Sequence, residues 1–113
     1  MAQVVITRSL ENVINKVFKK QSVGMLQFLR TLEEQPKKGK FVGNVGAVAI
    51  KELKHRGHRF YFVTDGFKIK FLEVEELRDL LITFVAMSDK KDQQKTIDEI
   101  KDVLSRLGSS GFA

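Results

Sequence analysis

The sequence predicts an α+β fold: an N-terminal strand and a two-helix hairpin packed on a mainly antiparallel sheet, followed by a C-terminal helix. Apolar residues recur at three- and four-residue spacing near both ends of the chain, whereas β-rich runs fill its middle. A two-residue Asp65-Gly66 break between two such runs is typical of a β-hairpin. The 113 residues suit one domain, expected over 1–107, with 108–113 as a flexible tail.

The first third of the chain predicts one strand and two helices. The β-branched run Gln3–Ile6 indicates the strand. Ser9 can cap a first helix, whose apolar stripe covers residues 10–18, and a second stripe covers residues 26–32 before Pro36 stops it. We expect the sheet to cover the apolar faces of this helical hairpin.

The middle of the chain predicts a basic loop and three strands. Residues 37–46 hold three glycines and three lysines, and we interpret them as a connecting loop, either solvated or in contact with a ligand. Strands are predicted over 45–54, 58–64 and 67–72.

The Asp65-Gly66 turn fixes which residues share a face of the sheet. A two-residue loop pairs Thr64 with Phe67 and Tyr61 with Lys70. The face predicted to lie in the core holds Phe60, Phe62, Ile69 and Phe71. The opposite face holds Arg59, Tyr61, Lys68 and Lys70. Cations beside an aromatic ring suit RNA phosphates with a stacked base, although a solvated sheet face has the same composition.

The last third predicts one more strand and the closing helix. Residues 79–87 are apolar on both faces and indicate a buried central strand, with a helix through EELRDLL as the competing interpretation. Ser88 or Asp89 then caps a helix that Gly108 ends. The stripe of this helix is predicted to be Ile97, Ile100, Leu104 and Leu107.

Charge and composition narrow the classes of function. The net charge is +6 and the pI is about 9.7, which favours a polyanionic partner such as RNA, DNA or an anionic surface. The absence of cysteine excludes disulfides, thiolate catalysis and cysteine-ligated metals. No membrane-spanning stretch is expected, so we predict a cytoplasmic protein. We also expect no cofactor.

Few residues could carry acid–base chemistry. His55 and His58 are the only side chains that ordinarily titrate near neutrality, and either can be structural or catalytic. No serine lies in a GxSxG motif, and no metal-ligand spacing is evident. RNA can be cleaved without metal by its own 2′-hydroxyl, provided that cations stabilise the added charge. Either Lys51 or Lys54 could share the face of Arg59.

Three stretches of the chain resemble the RelE/HigB branch of the RelE–ParE toxin superfamily. They are LRTLEEQPKKGKFVGNVG, IKELKHRGHRFYFV and ITFVAMSDKKDQQKT. The resemblance implies a RelE-like fold and a ribosome-associated, metal-independent mRNA endoribonuclease with mRNA, the ribosome and a cognate antitoxin as partners.

The resemblance also implies roles for individual residues. Arg59 would neutralise the scissile phosphate, Lys54 would occupy the basic position after Glu-Leu, and Lys91 with Lys90 would match a late basic pair. The closing helix lacks the tyrosine or histidine of some members, so any acid–base role would move to His58, His55 or a lysine, and His58 is the leading candidate for proton transfer. The predicted RNA contacts are Lys51, Tyr61, Lys68, Lys70 and Lys90.

Two alternatives stay open from the sequence. The same fold could serve as a non-catalytic nucleic-acid-binding or regulatory module, or as a gyrase inhibitor of the ParE type. A protein that uses its sheet edge and helices only to hold a protein partner is the third class, which the positive charge disfavours.

Overall fold

A computed structural model describes residues 2–107, so the predicted tail 108–113 and the helix stop at Gly108 lie outside the described residues. The elements in chain order are β1 (Gln3–Ile6), α1 (Arg8–Phe18), α2 (Ser22–Arg30), β2 (Lys40–Val45), β3 (Val48–His55), β4 (His58–Thr64), β5 (Lys68–Leu72), α3 (Val74–Met87) and α4 (Gln93–Arg106). Short 3-10 turns follow α1 and α2. Within residues 2–107, no helix has the length and apolar character needed to cross a bilayer.

The sheet has five strands in the order β1-β5-β4-β3-β2. β1 runs parallel to β5, and the other three pairings are antiparallel. The predicted α+β class with a mainly antiparallel sheet is therefore confirmed. Helices cover both faces of this sheet, and each face has a core of its own.

The first core lies between the sheet and the α1–α2 hairpin. Leu10 and Ile14 of α1 and Leu29 of α2 are buried against the sheet. The sheet contributes six buried residues on this face: Val4, Leu53, Phe60, Phe62, Ile69 and Phe71. The four residues that the sequence assigns to the core face of the hairpin all lie here, which confirms that assignment.

The second core lies between the opposite face of the sheet and helices α3 and α4. Leu77 and Leu81 of α3 and Val103 of α4 are fully buried there. Tyr61 belongs to this core and is only 1% exposed. The expectation that Tyr61 lies on an open face and stacks on a base is therefore wrong, because two helices cover it.

The predicted strand over 79–87 is wrong, because these residues belong to helix α3. The helix begins with a capping box: the carboxylate of Glu73 accepts from the backbone of Glu76, and that of Glu76 accepts from the Glu73 N–H at 2.9 Å. Both glutamates also bind the start of α1, since Thr7 donates to Glu76 at 2.7 Å and Ser9 donates to Glu73. The cap of α1 is Thr7 rather than Ser9, because the Thr7 Oγ1 accepts from the Leu10 N–H.

The β4–β5 hairpin has a longer loop than predicted. Thr64 pairs with Ile69 rather than with Phe67, and Tyr61 pairs with Leu72. The carboxylate of Asp65 causes the difference, because it accepts from the N–H groups of Phe67 and Lys68 at 3.0 Å each and holds both residues in the turn. These hydrogen bonds stabilise the charged form and lower the pKa of Asp65 below 3.8.

Residues 40–45 of the predicted loop form the edge strand β2. The register of β2 against β3 shifts between Phe41 and Gly43, which marks a bulge. Helix α4 packs directly on this bulge: a Cβ added to Gly43 would lie 2.7 Å from the Val103 Cγ2. The Nη1 of Arg106 also donates to the Val42 carbonyl at 3.1 Å, which occupies one acceptor of the strand.

The closing helix begins later than predicted. Its N-cap is Asp92 rather than Ser88 or Asp89, and its last residue is Arg106. Ile100, Val103 and Leu107 are buried, whereas Leu104 is exposed. Val103 therefore takes the place in the core that the predicted stripe gave to Leu104.

Candidate nucleic-acid interface

The turn between β3 and β4 carries the main pair of cations. Lys54 lies directly opposite Arg59 in the β3–β4 pairing, so both side chains share the sheet face that α3 and α4 cover. Lys51 lies opposite Phe62 on the other face. The register question left open by the sequence is therefore answered in favour of Lys54. The Lys54 side chain is exposed and that of Arg59 is half-buried.

Arg56 and Gly57 form the tip of this hairpin. Both have positive φ angles, 52° and 82°, and connect His55 directly to His58 as a two-residue turn. The left-handed region costs a residue with a Cβ about 1 kcal/mol, so a glycine or asparagine would suit position 56 better. The chain instead places an exposed guanidinium at the end of the sheet.

The two histidines lie on the face of the α1–α2 hairpin, opposite to Lys54 and Arg59. The centres of the His58 and Phe18 rings lie 4.7 Å apart in an edge-to-face arrangement, and those of the His55 and Phe28 rings lie 3.9 Å apart in a stack. The Lys38 Nζ lies 4.8 Å from the centre of the Phe28 ring. The aromatic contacts orient both imidazoles at the same end of the sheet as the two cations.

The junction of α1 and α2 adds positive charge to this end. Lys19 ends α1 with a φ of 49°, and Lys20 lines a cavity together with His55 and Arg56. Seven basic residues lie in or next to the β3–β4 turn or at the α1–α2 junction beside it, and we call them the hairpin-end cluster: Lys19, Lys20, Lys54, His55, Arg56, His58 and Arg59. Two ion pairs, Arg30–Glu33 and Arg106–Asp102, lie elsewhere in the part of the chain that the structure describes.

The remaining predicted site residues do not join the hairpin-end cluster. The Lys51 Nζ donates to the Lys37 carbonyl at 3.0 Å and lies 6.0 Å from the centre of the Phe62 ring. Lys68 and Lys70 are exposed on β5 and line a separate cavity of about 170 Å³. Their side of the sheet is the one predicted, but helices cover its centre.

Lys90 and Lys91 lie in the connection between α3 and α4, at the opposite end of the sheet. The Gly46 N–H in the β2–β3 turn donates to the Glu99 carboxylate at 2.9 Å, which fixes the first half of α4 at that end. Six residues of β3 separate this turn from Lys54, about 20 Å at the usual rise of a strand. The late basic pair and Arg59 are therefore not brought together.

Sequence reasoning missed three members of the cluster: Lys19, Lys20 and Arg56. The signal for Arg56 is the His-Arg pair repeated on either side of a glycine at 55–59, in which the glycine lies between two β-rich runs and marks a tight turn. The signal for the two lysines is their place at the break between two helical stripes. Only the fold shows that this break lies beside the turn.

Two imidazoles and several cations at one end of a sheet can bind phosphate and move a proton. Within the part of the chain that the structure describes, no group of three or more His, Cys, Asp or Glu side chains converges as a set of metal ligands. Compared with protein-family models, with curated proteins and with solved structures, the chain gives no match.

Proposed function

We propose that the protein binds RNA at the hairpin-end cluster and acts as a toxin-like, metal-independent endoribonuclease on mRNA at the ribosome. The observation that carries this proposal is the direct pairing of Lys54 with Arg59 beside a turn that bears Arg56 and two imidazoles. The net charge of +6 supports a polyanionic substrate, and the RelE/HigB-like stretches favour mRNA.

The proposed reaction is an internal transfer of the phosphoryl group. The 2′-hydroxyl of one nucleotide loses its proton to a base and attacks the adjacent phosphorus, and the bond to the 5′-oxygen breaks as that oxygen gains a proton. The products are a 2′,3′-cyclic phosphate and a 5′-hydroxyl. Arg59 and Lys54 stabilise the extra negative charge on the phosphorane, and His58 is the group that transfers a proton.

The position of the imidazoles sets a condition on how RNA binds. His58 and Arg59 are consecutive residues, so their side chains project to opposite faces of β4. A substrate that reaches both must lie over the end of the hairpin rather than flat on one face. Arg56 at the tip of the turn is then a third cation that the RNA strand passes.

A second candidate function is RNA or DNA binding without cleavage, as a regulatory module or a ParE-like gyrase inhibitor. The observation that favours it is the packing of both imidazoles on phenylalanine rings, away from the Lys54–Arg59 pair. The helical conformation of residues 79–87 also departs from the last strand that the family resemblance implies. We propose the RelE-like fold and a cognate antitoxin only together with the first candidate function, the endoribonuclease.

The decisive experiment mixes the purified protein with translating ribosomes and a defined mRNA and maps the ends of the products. Cleavage that leaves 2′,3′-cyclic phosphate and 5′-hydroxyl ends supports the proposal, because attack by the 2′-hydroxyl gives these ends. Arg59→Ala should lower the rate about 100-fold or more, as expected for loss of one charge-stabilising group.

Lys95→Ala is the matched control, because Lys95 is exposed on α4 at the other end of the sheet. Its cleavage rate should equal that of the wild type. Salt-sensitive RNA binding with intact RNA would favour the second candidate. Absence of both binding and cleavage would reject both candidates.

A further inference from the structure

A cavity of about 390 Å³ lies between the α1–α2 junction and the β3–β4 turn. We call it the hairpin cavity, and it is lined by Lys20, Gln21, Gly24, Met25, His55 and Arg56. Its volume falls in the range typical of small-molecule sites. The cavity opens on the α1–α2 side of the turn, whereas Lys54 and Arg59 lie on the other side.

The chemistry of the lining is divided. Lys20 and Arg56 supply two positive charges, and Gln21 supplies an amide that can both donate and accept hydrogen bonds. Met25 and the His55 ring, which Phe28 holds by stacking, supply apolar and aromatic surface. A phosphate beside a flat heterocycle matches this combination better than a simple anion does.

Gly24 gives the cavity its space. The residue lies inside helix α2, where alanine or leucine would be more stable. A Cβ at this position would meet no atom within 4 Å, so neither close packing nor an unusual φ angle requires glycine here. Gly24 lines the cavity, so a larger side chain at this position would take up part of its volume.

We propose that the hairpin cavity binds one nucleotide of the RNA strand, with its phosphate on Lys20 and Arg56 and its base against His55 and Met25. The inference rests on the proposed function, since it gives that function a second subsite on the far side of the Arg56-Gly57 turn. An RNA strand that crosses the Arg56-Gly57 turn would place one phosphate on the Lys54–Arg59 pair and a neighbouring phosphate in the cavity. Gln21 would then read the edge of the bound base.

The test uses the four 5′-mononucleotides and inorganic phosphate as separate probes, followed by two-dimensional NMR of the 15N-labelled full chain. At least one mononucleotide should bind about tenfold or more tightly than inorganic phosphate. The largest shifts should fall on the amides of Gly24 and Arg56 and on the His55 ring.

Gly24→Leu should weaken mononucleotide binding at least about tenfold, because the new side chain fills the cavity. Gly24→Ala is the matched control: it gives the same kind of gain in helix propensity with little added volume, so it should raise Tm and keep binding. Arg56→Asn removes the charge with a residue that tolerates a positive φ angle, and it should weaken the mononucleotide without unfolding the hairpin.

Equal binding of phosphate and mononucleotides, shifts confined to Lys54 and Arg59, or unchanged binding by a folded Gly24→Leu variant would each overturn the inference. The proposed function would survive any of these results, because RNA cleavage and its loss in Arg59→Ala are measured separately. If the protein binds a mononucleotide in the cavity but leaves mRNA intact, the result would support the inference. It would contradict only the cleavage step of the proposed function.

Discussion

Lys54 and Arg59 face each other across β3 and β4, one pair before the turn, and Glu52 lies on the same face two pairs further from the turn, opposite Tyr61. Two adjacent positive charges repel when no anion is present. Their pairing is stabilised when a phosphate lies between them, so the hairpin end is expected to bind polyanions with a marked dependence on salt.

The salt dependence of RNA binding should show whether Lys54 and Arg59 contact phosphates. Each contact between a cation and a single-stranded phosphate contributes about 0.7 to the slope of log K against log salt concentration. Arg59→Ala and Lys54→Ala should each reduce the slope by about 0.7, and the double variant by about 1.4. Fluorescence anisotropy with a labelled single-stranded RNA between low and moderate salt measures it.

Lys95→Ala has the same change in charge and should leave that slope unaltered. A reduction of equal size in Lys95→Ala would mean that RNA senses only net charge, and it would remove the case for a site at the hairpin end.

Tyr61 should act on stability rather than on RNA contact. It is 1% exposed beneath α3 and α4, so Tyr61→Ala should lower the free energy of unfolding by about 3–5 kcal/mol. Phe67 is 81% exposed at the β4–β5 turn, and Phe67→Ala should change stability by less than about 0.5 kcal/mol. Urea denaturation compares the two aromatic truncations. Wild-type stability of Tyr61→Ala together with weaker RNA binding would contradict the buried position.

An additional methyl group at the contact between β2 and α4 should lower the stability of the protein. Gly43→Ala places a Cβ 2.7 Å from the Val103 Cγ2, and overpacking of this kind costs about 1–3 kcal/mol of stability. Replacing Val103 with alanine in the same chain should restore part of that loss, which a double-mutant cycle on urea denaturation measures. Purely additive losses would show that the two residues do not touch.

The β4–β5 turn should depend on pH through Asp65. Its lowered pKa comes from the N–H groups of Lys68 and Phe67, so the charged carboxylate is favoured in the folded state. The contribution to stability is therefore complete above the unfolded pKa, near 3.8, and is lost as pH falls through the lower folded pKa. Asp65→Asn keeps an acceptor but cannot titrate, so its stability should fall less between pH 5 and pH 2 on urea denaturation.

Periodicity predicted the faces of the β4–β5 hairpin but not its register. The observed pairing is displaced by two residues from the predicted one, and a displacement of two returns every side chain to the same face. The core positions of Phe60 and Phe62 were therefore correct despite the wrong partners. The Asx-type hydrogen bonds of Asp65 decided the length of the loop, and the pattern of apolar residues carries no information on them.

The helix over 79–87 was mistaken because both of its faces are apolar. Leu81 is buried against the sheet, whereas Ile82 is 67% exposed and Met87 is 78% exposed. A continuous apolar run resembles a central strand, and the capping box that identifies the helix uses Glu73 in place of the usual serine or threonine. The exposure of Tyr61 was misjudged for the same reason, because the helix that covers it was read as a strand.

The edge strand β2 was missed because three glycines in and around it weaken the strand signal. Its conformation depends on partners that are distant in sequence. Gly43 leaves room for Val103, and the Val42 carbonyl binds Arg106. Long-range contacts of this kind cannot be read from local sequence, and the same holds for the approach of Lys20 to Arg56.

Because the sheet has a core on each face, most of its residues cannot be substituted without a loss of stability, whereas a few can. Substitutions in the middle of any strand disturb one of the two cores, but Arg56 and Gly57 are exposed and belong to neither core. New ligand preferences can therefore evolve at this turn by single substitutions without a loss of folding that a second mutation must repair. The left-handed geometry at position 56 narrows the choice to a few residue types, so the turn is a small and well-defined target for directed evolution.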